Sequence, residues 1–108
     1  MDRDHYRRYL PELVSAIRKG APGARLVWGA TTPVRKDKAP GPSNERIEAR
    51  NRIARELCEK QGIPVDDLNA AMAGHSDLHS DDVHFKAEGY AILAAQVAGS
   101  VEKMLPGK

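Results

Sequence analysis

The chain has 108 residues, of which 41% are hydrophobic and 30% charged, a balance typical of one folded globular domain and unlike that of a disordered chain. Its 17 basic and 15 acidic residues give a net charge of +2 and mostly interleave, which argues against a nucleic-acid-binding surface. No stretch approaches the ~20 apolar residues of a membrane span, and one cysteine excludes an internal disulfide.

The first half of the chain predicts a helix, a buried strand and a second helix. Apolar residues at helical spacing predict a helix over about 4–19. The charged residues at its start are not followed by the apolar run of a secretory signal. If the chain is a fragment, this does not decide the compartment of the whole protein. The apolar run at 25–31 does not alternate with polar residues, which favours a parallel strand buried on both faces. A loop rich in Lys, Pro, Gly and Ser at 35–44 precedes a helix over 44–61, on which Cys58 is expected in the core.

The second half predicts shorter elements and one long final helix. A strand at 63–66 and a short helix at 68–72 are followed by an irregular loop over 74–85. The last helix runs from about 86 to 104. Its apolar residues at helical spacing are expected to form the buried face, and they are Tyr90, Leu93, Ala94, Val97 and Val101.

The order of these elements predicts an α/β fold with a parallel sheet. The strand–helix–strand unit is a crossover, which is right-handed in nearly all known cases. A sheet of only two parallel strands is expected to be unstable, and a first strand that is apolar on both faces needs further neighbours. The pattern therefore predicts the last part of a larger doubly wound domain. We therefore expect Val27 and Trp28 to be unusually exposed, and the unpaired strand edge to promote self-association.

One loop concentrates the groups that can do chemistry. Three histidines and three aspartates lie within residues 75–84, just before the final helix. In open α/β sheets, functional groups collect in loops beyond the carboxyl ends of the strands. One interpretation is a metal site, because histidine and carboxylate are ordinary zinc ligands, and its members would be His75, Asp77, His79 and Asp82. The other is a set of solvated surface histidines.

The motif Asp-Asp-Val-His-Phe at 81–85, followed by Glu-Gly-Tyr at 88–90 and an apolar helix, resembles the last conserved block of SGNH (GDSL-type) hydrolases. The strand at 26–34, Asn51 and the segment at 62–68 fit the same family in order and spacing. On its own, Asn51 is interpreted as a buried hydrogen-bonding residue. The resemblance implies a flavodoxin-like, three-layer α/β/α sandwich, present here only in part, with about two parallel strands and four or five helices.

The resemblance also implies an activity. Asp81 and His84 match the aspartate and histidine of the family's Ser-His-Asp triad, while Asp82 stands where glycine is common. In that role His84 takes the proton of a serine hydroxyl, and Asp81 fixes and stabilises the imidazole. The implied substrate is a small ester, an acetylated carbohydrate or a lipid, and the implied chemistry needs no cofactor or metal.

The sequence departs from the family at the nucleophile. The family's Gly-Asp-Ser motif and the glycine and asparagine blocks of its oxyanion hole have no counterpart in these 108 residues. The serines present are Ser15, Ser43, Ser76, Ser80 and Ser100. We therefore expect residues 1–108 to be the C-terminal portion of a single SGNH domain and to be inactive alone. A remnant that serves at most as a binding module is the alternative.

Overall fold

The elements of the protein are given by a computed structural model, which describes residues 3–36 and 43–105. Within these ranges the predicted mixed α/β class is confirmed, with four α-helices and two parallel strands. In chain order the elements are α1 (Arg3–Gly20), β1 (Trp28–Gly29), α2 (Asn44–Gln61), β2 (Val65–Asp66), α3 (Leu68–Met72), a 3-10 turn (Ser76–Leu78) and α4 (Ala87–Met104). The loop predicted over 35–44 falls mostly outside the described residues.

The helix boundaries follow from local capping chemistry. The Ser43 hydroxyl accepts the backbone N–H of Arg46 at 3.2 Å, which satisfies a free donor in the first turn of α2. Gly62 ends α2 in the left-handed conformation at φ 68°, which glycine adopts without a side-chain clash, and its N–H binds the Cys58 carbonyl. α1 continues through Pro11, which has no N–H to donate to the preceding turn.

The two strands pair in parallel over a shorter length than predicted. Trp28 lies opposite Val65, and its N–H donates to the Pro64 carbonyl at 2.9 Å. The paired residues cover only part of the predicted strands at 25–31 and 63–66. Each strand has a single neighbour in the described part of the chain, and Pro64 has no N–H to extend the ladder. The predicted crossover and its parallel sense are confirmed, and the predicted strand lengths are wrong.

The core lies where α1 and α2 meet one face of this small sheet. Cys58 is only 1% exposed and fills the core as predicted, and burial raises the pKa of its thiol. The interior cluster consists of buried Val14, Cys58 and Ile63 with the partly buried Leu26, Trp28, Leu57 and Val65 packed against it. These apolar contacts hold α1 and α2 against the strands.

The buried face predicted for α4 is wrong. Leu93 is half-buried, and the remaining four residues assigned to that face are exposed. The largest of them keep almost half of their surface accessible: Tyr90 48%, Val97 42% and Val101 45%. Despite this apolar side, neither α4 nor any other described helix is long and apolar enough to cross a bilayer.

A buried carboxylate explains the orientation of α4. Asp66, at the end of β2, is buried and accepts hydrogen bonds from Gln96 at 2.6 Å and Ser100 at 2.7 Å. A buried charge without donors is costly, so the helix turns these polar side chains toward the strand. Gly89 is the buried residue on the same side of α4. The contact stripe is thus displaced by about one residue from the apolar stripe.

Exposed apolar side chains also occur just before β1 and on α1. Val27 is 36% exposed, as expected for an unpaired strand edge, while Trp28 is half-buried because it packs on the interior cluster. On α1, Leu10 and Val14 are buried and Tyr6 is half-buried, but other large apolar residues are exposed, namely Tyr9, Leu13 and Ile17. The described part of the molecule therefore presents apolar surface on several elements.

Candidate active site

The loop that carries the predicted pair is closed on itself by backbone hydrogen bonds. His79 and Phe85 form an antiparallel bridge, and the N–H of Ser80 donates to the carbonyl of His84 at 2.9 Å. Residues 80–84 are thereby held as a tight turn between the 3-10 turn and α4. We call this segment, from His79 to Phe85, the site loop.

Asp81 and His84 converge at the tip of the site loop, as expected. The Asp81 Oδ2 lies 2.9 Å from the His84 Nδ1. The Asp81 Oδ1 accepts the backbone N–H groups of Val83 at 2.8 Å and His84 at 2.7 Å. One carboxylate therefore shapes the turn and orients the imidazole, an arrangement that a short polar side chain in a turn can make.

The electrostatics of the pair favour an ionised carboxylate. Hydrogen bonds from the backbone N–H of His84, then from that of Val83 and from the His84 ring, lower the pKa of Asp81 well below its usual range. The carboxylate only accepts, so when the His84 ring is neutral its hydrogen lies on the Nδ1 and the Nε2 has a lone pair. The side chains of His84 and Asp81 are 66% and 58% exposed, and the Nε2 makes no hydrogen bond to any described residue. The pair can accept a proton from a group that approaches from solvent.

Asp82 has a different task from Asp81. Its half-buried carboxylate pairs with the Arg35 guanidinium at 3.1 Å, and its carbonyl accepts the Arg35 N–H at 2.8 Å. The site loop is thus attached to the segment that follows β1. No sequence motif singles out Arg35, which lies 47 residues from its partner.

Asparagine side chains of α2 and α3 hydrogen-bond to the backbone of the segment that follows β1. Asn51 accepts the N–H of Thr31 at 3.0 Å and donates to its carbonyl at 3.0 Å, while Asn44 makes the same pair of bonds with Val34 at 2.9 and 3.0 Å. Asn69 adds a bond to the Thr31 carbonyl at 2.9 Å. Asn51 is therefore a hydrogen-bonding residue, as interpreted, although it is half-buried. The equivalent role of Asn44 was not predicted, because a polar residue at the start of a helix is usually interpreted as a cap.

His79 is a buried residue, and its interpretation as a solvated surface histidine is wrong. It is 3% exposed, with its Nδ1 3.1 Å from the Ser76 carbonyl and its Nε2 3.2 Å from the Pro33 carbonyl. Its ring stacks at a tilt on Phe85, with 4.3 Å between ring centroids. Nothing in the sequence distinguishes His79 from His75, which is exposed.

The side chains considered as a metal site are not brought together. The ring nitrogens of His79 face carbonyls and the carboxylate of Asp82 pairs with Arg35, while His75 and Asp77 are exposed. Among the residues that the structure describes, no group of three or more His, Cys, Asp or Glu side chains could hold a metal ion.

The serines have other positions and partners. Ser43 caps α2, and the Ser100 hydroxyl donates to Asp66. Ser15 lies within α1, and Ser76 begins the 3-10 turn. Ser80 is exposed beside Asp81. In residues 3–36 and 43–105, no serine hydroxyl hydrogen-bonds to His84.

Comparison with known proteins identifies a family for this chain. A search among curated proteins found no match. The family model described as the GDSL-like Lipase/Acylhydrolase family matches residues 1–92, which include both strands, the whole site loop and the start of α4. The match spans well over half of the 108 residues. The chain therefore belongs to the GDSL-like lipase/acylhydrolase family.

Proposed function

We propose that Asp81 and His84 are the acid–base pair of a serine ester hydrolase, and that the chain forms the C-terminal portion of its catalytic domain. The observation that carries the proposal is the 2.9 Å contact between the Asp81 Oδ2 and the His84 Nδ1, in a His84 side chain that is 66% exposed. Membership of an acylhydrolase family supports ester hydrolysis as the class of reaction.

In the proposed reaction, the Nε2 of His84 accepts the proton of a serine hydroxyl while the serine oxygen attacks the ester carbonyl. His84 then returns the proton to the leaving alcohol, which gives an acyl-serine. A water molecule, deprotonated by the same nitrogen, attacks the acyl carbon, and His84 gives the proton to the departing serine oxygen, which releases the carboxylic acid and the free serine. Asp81 remains ionised throughout, because its hydrogen bonds lower its pKa, and it stabilises the imidazolium at each step. The substrate is an ester such as an acetylated carbohydrate or a lipid.

The nucleophile is proposed to come from polypeptide other than these 108 residues. The support is that Ser43 and Ser100 bind other groups and that no described serine hydroxyl binds His84. The same observation favours a second candidate, an inactive remnant that acts at most as a binding module. The two candidates differ in whether a serine can be supplied to His84.

The test uses the chain expressed together with any in-frame coding sequence upstream of Met1, with a p-nitrophenyl ester as substrate. We expect His84→Ala to lower turnover by up to about a million-fold, as loss of a triad histidine does in other serine hydrolases. Asp81→Asn should lower it by about ten thousand-fold, because an amide favours the wrong imidazole tautomer. His75→Ala, in the same region but exposed, is the matched control and should leave turnover unchanged.

Two outcomes would count against this function. Ester turnover that survives His84→Ala would remove His84 from the reaction. A folded, extended chain with no turnover on short- or long-chain esters would favour the inactive remnant.

We further propose that the isolated chain associates with itself through the free edge of β1. The support is the single neighbour of this strand in the described residues and the exposed side chain of Val27. Unpaired strand edges recruit further strands, since their N–H and C=O groups lack partners.

A further inference from the structure

His79 forms a buried link between the site loop and the segment that follows β1. Its Nε2 lies 3.2 Å from the carbonyl of Pro33, which is 46 residues away in sequence, and its Nδ1 lies 3.1 Å from the carbonyl of Ser76. Both partners are acceptors. A neutral imidazole donates to one of them, and an imidazolium donates to both.

Packing holds the His79 ring in place. The ring lies against Phe85, the residue at the other end of the site loop, and Phe85 meets Tyr90 edge to face with 5.9 Å between centroids. Gly89 leaves the space that Phe85 occupies, because a Cβ there would lie 2.9 Å from the Phe85 Cβ. The N–H of Lys86 also donates to the Leu78 carbonyl at 2.7 Å, just outside the bridge. The base of the loop is therefore a packed unit.

The second side-chain link, between Arg35 and Asp82, is more exposed. The two side chains are 45% and 22% exposed, so solvent and salt screen their attraction. The His79 contacts are buried, where a hydrogen bond is less screened and an unpaired group is more costly. Of the two links, the one through His79 is better suited to fix the orientation of the loop.

We infer that His79 is a positioning residue for the acid–base pair, a role that rests on the proposed function of Asp81 and His84. By donating to the Pro33 carbonyl, its Nε2 sets where the site loop sits against the carboxyl edge of the sheet. That placement decides how the ring of His84 is presented to the nucleophile. His79 itself acts only through the loop, because its ring is buried.

Substitutions of His79 can test the contacts of its two ring nitrogens separately. In His79→Gln the side-chain amide nitrogen reaches the position of the Nε2 and keeps a donor for Pro33. In His79→Asn the amide reaches only the position of the Nδ1 and keeps the contact with Ser76. In His79→Phe the ring still packs on Phe85, but both polar contacts are lost.

The readout is the side-chain ¹⁵N spectrum of His84 in the 108-residue chain, which reports the tautomer of its ring, together with hydrogen exchange of the Arg35 amide. In the unsubstituted chain we expect the Nδ1–H tautomer and a protected Arg35 amide. His79→Phe and His79→Asn should increase Arg35 exchange about tenfold or more, because the site loop is no longer held to the segment that follows β1, while the tautomer that Asp81 sets within the loop is unchanged. His79→Gln should restore the protection of the Arg35 amide.

Each outcome separates the inference from the function on which it rests. An Nε2–H tautomer of His84 in the unsubstituted chain would contradict the proposed function. The expected tautomer there, with Arg35 exchange unchanged in His79→Phe, would contradict the positioning role alone. Rescue by asparagine instead of glutamine would confine His79 to the local turn and overturn the link to Pro33. If a variant does not fold, a nuclear Overhauser contact between the His79 ring and Pro33 in the unsubstituted chain decides, and its absence overturns the link.

Discussion

At the scale of single residues, the carboxylate of Asp81 combines two functions that often need separate groups. Its Oδ1 binds two backbone N–H groups and closes the turn, while its Oδ2 binds the imidazole of His84. The backbone bonds do not depend on the state of the ring. Asp81 therefore stays in place whether His84 is neutral or carries a proton.

A titration of the Asp81 carboxyl tests this arrangement. The folded chain holds the pKa of Asp81 below its value of about 3.9 in an unfolded chain. The resulting stabilisation is fully present above that unfolded value and is lost as the pH falls through the lower, folded value. We expect the ¹³C signal of this carboxyl to titrate at lower pH in the folded chain than in the same chain in urea. Equal midpoints would contradict the hydrogen bonds.

The isolated chain should show no His84-dependent hydrolysis of aryl esters. Triad groups act as a unit, and removing the nucleophile alone costs about a million-fold in turnover. The measurement compares initial rates of the chain and of its His84→Ala variant, which should coincide. A higher rate in the unsubstituted chain would reveal an unrecognised nucleophile, and Ser80→Ala would then test the serine beside Asp81.

The contacts of the candidate site that are local in sequence were predictable, and the contacts between distant segments were not. Asp81 and His84 are three residues apart, so one motif holds both partners. His79 and Arg35 have partners 46 and 47 residues away, and only the crossover of the chain brings them together. No pattern in a single sequence records such contacts.

At the scale of elements, helix positions were predictable because their ends carry local signals. The predicted helix over 44–61 coincides with α2, since Ser43 and Gly62 mark its ends. The orientation of α4 was not predictable from its apolar pattern. Its rotation depends on the buried carboxylate of Asp66, which lies on another element and binds Gln96. The paired length of the strands likewise depends on their neighbours.

Two glycines of α4 provide a matched test of its packing. Alanine at either position gains roughly 0.5–1 kcal/mol over glycine in a helix. At Gly89 the new Cβ would lie 2.9 Å from the Phe85 Cβ, and overpacking of this kind costs about 1–3 kcal/mol. At Gly99 nothing lies within 4 Å. We expect urea denaturation to show that Gly89→Ala lowers the free energy of unfolding and Gly99→Ala raises it, and a stabilised Gly89→Ala would contradict the contact.

At the scale of the whole molecule, the exposed apolar side chains predict association in solution. Such surface is found next to β1, on α1 and on α4, and it includes Val27, Tyr9 and Val97. Contiguous apolar area beyond a few hundred Å2 is uncommon on monomers. The free edge of β1 adds backbone groups that another strand can bind.

Sedimentation velocity over a range of concentrations tests this expectation. The chain should sediment as a species larger than its monomer mass of 11.8 kDa. Val27→Lys should shift it toward the monomer, because a charged lysine at a strand edge opposes pairing. Val83→Lys is the matched control, since Val83 is 40% exposed but lies in the site loop. A monomeric chain at all concentrations would refute self-association.

The buried thiol of Cys58 makes the separation of α1 from α2 measurable by chemistry. A disulfide reagent reacts with the thiolate, which is scarce here because burial raises the thiol pKa, and it reaches the sulfur only when the cluster around Val14 and Ile63 opens. Where closing is faster than reaction, the labelling rate equals the rate in the unfolded chain multiplied by the fraction of time the cluster is open. The labelling rate of the single cysteine thus reports the fraction of time for which the interior is open. Labelling as fast as in urea would show that the interior is not closed in solution.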